Sequence, residues 1–257
     1  MKNDRAPALT EGMRILELVG DSPEGNSFET ILKSVKMSRS SVNRLLKNLI
    51  NSGYLVTRPG LRGVYYPGPR LFSLAYQVNR NHRTMEAMHS ALQEVARRTR
   101  SSCQYAVFDR SFLRIIILDK AETTGSIHLA GPGYDITRFA NRHGMGKVIL
   151  AHCSEAEKRG ILAQVETEKK TSHTVLPGPE LDSALSEIRE KGYALDLEES
   201  DDMVYRVSVG VFSPDRVIQG ALCCTWNARR LDEEKVHQSR EELAGLSEAS
   251  AHFYLTR

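Results

Sequence analysis

The chain has 257 residues, 40% of them hydrophobic and 26% charged, with a formal charge of +3. This is the composition of an ordinary folded protein of one large or two smaller domains, and it excludes a disordered chain, a collagen and a membrane bundle. No apolar run approaches the ~20 residues needed to cross a bilayer, and the start MKNDRAPALTEG lacks the apolar core of a signal peptide, so the expected location is the cytoplasm.

Charge is divided unevenly. Residues 1–80 hold 12 Lys and Arg against 6 Asp and Glu, and the remainder hold 23 against 26. Between Glu29 and Glu86 there is no acidic residue, yet ten basic ones. A basic N-terminal module on a mildly acidic body points to polyanion binding by the first part.

The first helix is marked by Leu9, Met13, Leu16 and Val19, with Ile15 and Leu18 beside them, and ends at Gly20-Asp21-Ser22-Pro23. Ser27 is the expected N-cap of a short second helix burying Phe28, Ile31, Leu32 and Val35. Lys36-Met37 makes a turn, and Ser38 caps a third helix with the stripe Val42, Leu45, Leu46, Leu49 and Ile50. Gly53 stands where a glycine closes a helix. A short helix, a tight turn and a longer helix make a helix-turn-helix. The strands 54–58 and 64–66 about Pro59-Gly60-Leu61-Arg62-Gly63 form its wing.

Outside the third helix's apolar stripe, Arg39, Ser40, Ser41, Asn43, Arg44, Lys47 and Asn48 are polar and none is acidic. That face suits a groove with phosphate walls and base edges on its floor. Arg58 and Arg62 add positive charge to the wing for phosphate or minor-groove contact. The expected DNA-binding residues are therefore Arg39, Ser40, Ser41, Asn43, Arg44, Lys47, Arg58 and Arg62, and the expected partner is double-stranded operator DNA.

Residues 69–82 read as a linker helix and are followed by a longer one carrying Met85, Met88, Leu92 and Val95. Leu71, Leu74, Met85 and Met88 offer a dimer surface. A hairpin spans 103–108 and 112–118, and Ser126–Ala130 reads as a further strand. Helices are expected near 144–152, 155–164 and 178–191, strands at 193–198, 203–212 and 217–226, and a closing helix from 232 to 254. The body is thus α+β with a mixed or antiparallel sheet. Cys103, Cys153, Cys223 and Cys224 form no C-x-x-C pair and read as reduced thiols, with neighbouring Cys223 and Cys224 facing opposite ways. The eight histidines show no H-x-x-x-H or H-E-x-x-H spacing. No metal or cofactor motif and no catalytic constellation emerges.

The stretch 38-SRSSVNRLLKNLINSGYLVTR-58 resembles the IclR-type bacterial transcriptional regulators, as do 146-GKVILA-151, 188-IREKGYAL-195 and 217-VIQGALCCTW-226 at similar spacings. The resemblance runs from about Leu9 to Leu255. It implies a winged helix-turn-helix domain at 1–67, a linker helix at 68–82 and a GAF-like effector-binding and oligomerisation domain at 83–257. It also implies a homodimer that often pairs into a homotetramer, acting as repressor or activator of a catabolic operon, and no enzyme activity. By the same resemblance, Leu129 and residues 141–147 cover an effector pocket floored by 200–210, with Asp201, and by the strand 221–226. Strand alternation puts Cys223 and Thr225 on one face, and Ser208 and Gly210 likewise share one. The N–H groups of Gly144 and Met145 with the Ser208 and Thr225 hydroxyls are expected to hold a carboxylate, while Arg142 and His143 are expected at the surface. The effector-binding set is then Leu129, Gly144, Met145, Asp201, Ser208, Gly210, Cys223 and Thr225, and the expected ligand is a small organic acid, aromatic acids included. The alternative is a constitutive DNA-binding regulator whose C-terminal domain only oligomerises.

Overall fold

The computed structural model describes residues 6–58, 60, 63–81, 83–123, 127–227 and 232–250. The chain divides into two compact units, Met1–Arg83 and Thr84–Arg257.

The first unit holds α1 (Pro7–Gly20), β1 (Asn26–Ser27), α2 (Phe28–Ser34), α3 (Arg39–Asn51), β2 (Leu55–Thr57), β3 (Val64–Pro67) and α4 (Pro69–Asn81). It is a winged helix-turn-helix. Ser27 caps α2 by accepting from the Thr30 N–H at 3.1 Å, and Ser38 caps α3 by accepting from the Ser41 N–H at 3.3 Å. After α3 the chain turns on Gly53, at φ +76°, a conformation that favours glycine. Ile15, Val19, Ile31, Val35, Val42, Leu46 and Leu55 form the core. α1 faces it through Ile15 and Val19, whereas Leu9 and Met13, expected on the same stripe, are exposed. The small sheet has the order β1-β3-β2, all antiparallel.

The boundary falls at the first residue of α5 (Arg83–Thr99), and the second unit continues with β4 (Ser102–Asp109), β5 (Arg114–Ala121), α6 (Gly144–His152), α7 (Glu155–Leu162), α8 (Pro179–Lys191), β6 (Tyr193–Leu197), β7 (Val204–Phe212), β8 (Ile218–Asn227) and α9 (Glu233–Ser250). The five strands lie in the order β5-β4-β8-β7-β6, every pair antiparallel. One face packs under α6 and α8, with Ile117, Ile149, Leu185 and Cys223 in a common core. The other packs under α5 and α9, with Leu92, Cys224 and Leu243. Cys223 and Cys224 therefore do serve opposite faces, and all four cysteines are free thiols.

One expected strand is absent. The described part of 126–130 has no strand, because Gly131-Pro132-Gly133 bends the chain before it can run along β5. The pairing with β5 falls later instead: Ile117 N–H donates to the Tyr134 carbonyl at 2.9 Å, and Ile136 N–H to the Ile115 carbonyl at 2.9 Å. Residues 127–130 are held by side chains, with the Ser102 hydroxyl on the Ile127 carbonyl at 2.6 Å and the Gln104 amide on the Ala130 carbonyl at 2.8 Å.

Candidate functional site

On α3, Ser40, Asn43, Arg44 and Lys47 are exposed. Among the described residues the side chains of Asn43, Arg44 and Lys47 make no hydrogen bond or ion pair, so they carry full hydrogen-bonding capacity on an acid-free face. Ser40 and Ser41 lie in the cap, their hydroxyls 3.1 and 3.0 Å from the Ser38 hydroxyl. Arg39 is differently placed. Its guanidinium pairs with Glu29 at 2.8 Å and lies 4.8 Å from the centre of the Phe28 ring, so it is folded back on α2. Arg58 stacks 4.2 Å from the Tyr66 ring centre on the wing. Arg62 lies outside the described residues.

In the second unit, a cavity of about 480 Å³ opens between the sheet and the segments 127–143 and 166–201. Tyr134 and Phe139 stand at its wall with rings stacked 6.5 Å apart, beside Leu129 and Ile136. Glu166, Lys170 and Asp201 also line it. Arg142 pairs with Glu166 at 2.7 Å, and the exposed Lys170 and Asp201 lie 3.8 Å apart.

The floor is polar and charged. Gln104 on β4 and Arg206 on β7 line it, with His143 and Ser200. Arg206 is 6% exposed, and its Nη1 donates to Asp196 Oδ2 at 2.7 Å and to the Ser200 hydroxyl. Asp196 in turn accepts from the Ser200 hydroxyl at 2.7 Å and from the Glu199 N–H at 3.0 Å. Left-handed backbone at Glu198 and Met203 folds this loop back over β7. Behind it, buried Lys147 donates to the Leu195 carbonyl at 2.7 Å and to Glu199. Burial pushes the Glu199 carboxyl up to about 7, against the pull of Lys147.

His143 is the N-cap of α6: its Nδ1 accepts from the Met145 N–H at 3.3 Å. Burial, with the Arg206 charge adding to it, pushes this imidazole down to about 3. The ring is neutral near pH 7, and because Nδ1 accepts, its proton sits on Nε2.

Of the expected effector residues, Leu129 and Asp201 line the cavity. Gly144, Met145, Ser208, Gly210, Cys223 and Thr225 are buried and do not line it. A Cβ on Gly144 would lie 2.5 Å from the Ser208 hydroxyl, so the start of α6 sits directly on β7 and leaves no room for a ligand. The Met145 N–H is already used by His143. Gly210 packs against Phe212 and Ile218 at the far end of the strand. Thr225 stands opposite Arg206 in the ladder, and Cys223 opposite Ser208. The expectation for Arg142 and His143 is overturned: they are 6% and 8% exposed and turn inward. Arg206, Gln104, Tyr134 and Phe139 went unrecognised in the sequence. The readable signal was Arg206, the one charged residue in the strand run Val204–Phe212.

Among the described residues no group of three or more His, Cys, Asp and Glu could hold a metal ion. His128 pairs with Glu122, His143 caps α6, and His152 donates to the Val148 carbonyl, so these three serve separate local roles. No helix among the described residues is long and apolar enough to cross a membrane.

Comparison with known proteins matches residues 8–59 to the IclR helix-turn-helix domain and residues 76–251 to the bacterial transcriptional regulator IclR C-terminal domain. The chain is 29% identical over 245 residues to the HTH-type transcriptional regulator XynR of Escherichia coli, covering 93% of this chain and 94% of that one. Its fold is shared with an IclR transcriptional regulator from Alicyclobacillus acidocaldarius at a TM-score of 0.76 and 20% identity, covering 96% and 98% of the two chains. An IclR homolog from Microbacterium hydrocarbonoxydans, solved with 4-hydroxybenzoate, aligns at 0.73 and 19% identity, covering 96% and 100%. With both domain models matched in order along one chain, this protein belongs to the IclR family of bacterial transcriptional regulators.

Proposed function

We propose that the chain is a cytoplasmic, ligand-responsive regulator of a catabolic operon, without enzymatic activity, whose α3 reads operator DNA and whose second unit binds a small organic acid. The observation that carries this reading is the cavity itself. It sets the apolar and aromatic side chains of Leu129, Tyr134, Ile136 and Phe139 beside a larger set of polar and charged groups, among them Gln104, Arg142, His143 and Arg206, so it offers both a surface for an apolar body and hydrogen-bonding groups for a polar one. The 4-hydroxybenzoate held by the Microbacterium homolog is an acid of the size this cavity suits.

Asn43, Arg44 and Lys47 supply the base-reading and phosphate-binding face, with Ser40 and Ser41 at the helix start. Arg39 and Arg58, held back by Glu29 and Tyr66, serve the phosphate backbone. One such head covers a short half-site, so a paired assembly, a homodimer or a homotetramer, fits a palindromic operator. Met88 is 1% exposed and packed within its own chain, so it offers no dimer surface. Leu9 and Met13 on α1, and Phe72, Leu74 and Tyr76 on α4, are the exposed apolar side chains that pairing would cover.

The test is operator binding followed by fluorescence anisotropy, with and without a panel of small carboxylates. Release, or tightening, by one acid supports the reading. Operator binding insensitive to every ligand, with none detected in the cavity, would leave a constitutive regulator in its place.

A further inference from the structure

A guanidinium offers five N–H donors in a fixed plane. In Arg206 the Nη1 donors are taken by Asp196 and Ser200. Nε is buried and has no partner among the described residues. Nη2 likewise makes no hydrogen bond there. Nε and Nη2 form the edge that presents two parallel N–H groups, the arrangement that matches a carboxylate bidentately. Buried donors left unpaired are rare in folded proteins, and each costs free energy until something accepts from it. This one belongs to a side chain that lines the cavity.

We infer that Arg206 selects the effector, holding a monocarboxylate side-on at its Nε–Nη2 edge while Asp196 and Ser200 act as positioning residues on its other nitrogen. The inference rests on the organic-acid reading of the cavity and adds the residue and the charge state. Asp196 already neutralises Arg206, so charge alone draws no anion in; the paired N–H geometry does the choosing. A second negative charge on the ligand would meet the Asp196 carboxylate nearby, which favours a monoanion over a phosphate or a dicarboxylate. His143, neutral and protonated on Nε2, adds a donor without adding charge. Tyr134 and Phe139 at the wall favour a flat apolar body, and the Glu166 and Asp201 carboxylates elsewhere in the lining would accept from a hydroxyl on it.

The experiment uses the full-length protein with benzoate, 4-hydroxybenzoate and pyruvate as probes, and benzamide and phenyl phosphate as controls. Affinity is taken from ligand-dependent thermal melts, and the Arg206 Nε–H is followed by nitrogen–proton NMR. That resonance is assigned by its loss in Arg206→Lys, which keeps a cation beside Asp196. A second variant, Asp196→Asn with Arg206→Gln, keeps a hydrogen-bonded pair without charge and guards against a folding defect in the first. The expected result is that any probe carboxylate that stabilises the wild type shifts the Nε–H and binds each variant about tenfold or more weakly, as loss of a charge-assisted pair requires. Carboxylates that stabilise wild type and both variants equally, or leave the Nε–H unmoved, overturn the assignment to Arg206 alone. If the amide or the phosphate binds and no carboxylate does, or if no probe binds the wild type, the organic-acid reading falls and this inference with it.

Discussion

Asp196 on β6 and Arg206 on β7 face each other directly in the ladder, and their side chains close a 2.7 Å ion pair beneath the cavity. Asp196 is fully buried. In such a setting attraction and desolvation nearly cancel, so the pair adds little net stability, yet removing one member strands the other charge. Asp196→Ala is expected to cost about 3–5 kcal/mol, whereas Asp196→Asn with Arg206→Gln costs much less. Urea unfolding of the three proteins checks this, and equal losses in the single and double variants would show that the charge is not stranded.

Two titrating groups beside this pair pull stability in opposite directions. Glu199 goes from an ordinary 4.5 to about 7, so the folded chain holds its proton longer than the unfolded one. Its contribution is complete below 4.5 and is lost as pH rises through 7, a change of ~3 kcal/mol. His143 goes from 6.5 to about 3, so its contribution is complete above 6.5 and is lost as pH falls toward 3, by ~5 kcal/mol. Protonation there also removes the Nδ1 acceptor that caps α6. Urea midpoints across pH should show Glu199→Gln abolishing the decline toward neutrality, and His143→Asn, which keeps a capping oxygen, blunting the loss in acid. Curves parallel to wild type would refute both assignments.

What was legible in the sequence was local. Ser27, Ser38 and Gly53 announce helix ends because a cap or a left-handed turn involves only a few neighbouring residues. The opposite facing of Cys223 and Cys224 follows from strand alternation alone. Of the expected cover, Leu129 with Arg142 and His143 from the 141–147 stretch lines the cavity, whereas the expected polar groups Ser208 and Thr225 lie buried away from it. Arg206 depends on Asp196 in another strand. Arg142 is drawn inward by Glu166, 24 residues away, and by Phe139, 4.8 Å from its guanidinium to the ring centre. Partners so distant along the chain leave no periodicity to read. Leu9 and Met13 show the converse: helical spacing is visible, but which apolar face meets the core is decided by α2 and α3.

On the DNA side, Glu29 and Arg39 are both largely exposed, and their 2.8 Å pair is worth little by itself. It nevertheless competes with phosphate for the guanidinium. Arg44→Ala is expected to cost about 1–3 kcal/mol in operator affinity and to relax discrimination at one base pair. Arg39→Ala should weaken binding to all sequences alike and lower the salt slope by about 1. Glu29→Gln, which frees Arg39, should tighten binding most at low salt. Anisotropy titrations on the operator and on a scrambled duplex, at several salt concentrations, separate these outcomes; an Arg39 variant that loses sequence discrimination would make it a base reader instead.

Helix α4 is tied to the end of α3 by backbone hydrogen bonds. Gly68 N–H donates to the Tyr54 carbonyl at 2.8 Å, and Arg70 N–H to the Gly53 carbonyl at 3.1 Å, so α4 starts against the turn that ends α3. This approach is possible only without a side chain: a Cβ on Gly68 would lie 2.2 Å from the Gly53 oxygen, a backbone atom that cannot swing aside. Gly68→Ala is therefore expected to break both hydrogen bonds and release α4 from α3. Two lost bonds plus the displaced backbone should destabilise the first unit by about 2–4 kcal/mol, while the second unit, which shares none of these contacts, melts unchanged. Hydrogen exchange reads the two units separately. Faster exchange confined to Gly53–Leu71 and its neighbours is the expected outcome, and unchanged protection of the Gly68 and Arg70 amides would show that α4 is not anchored there.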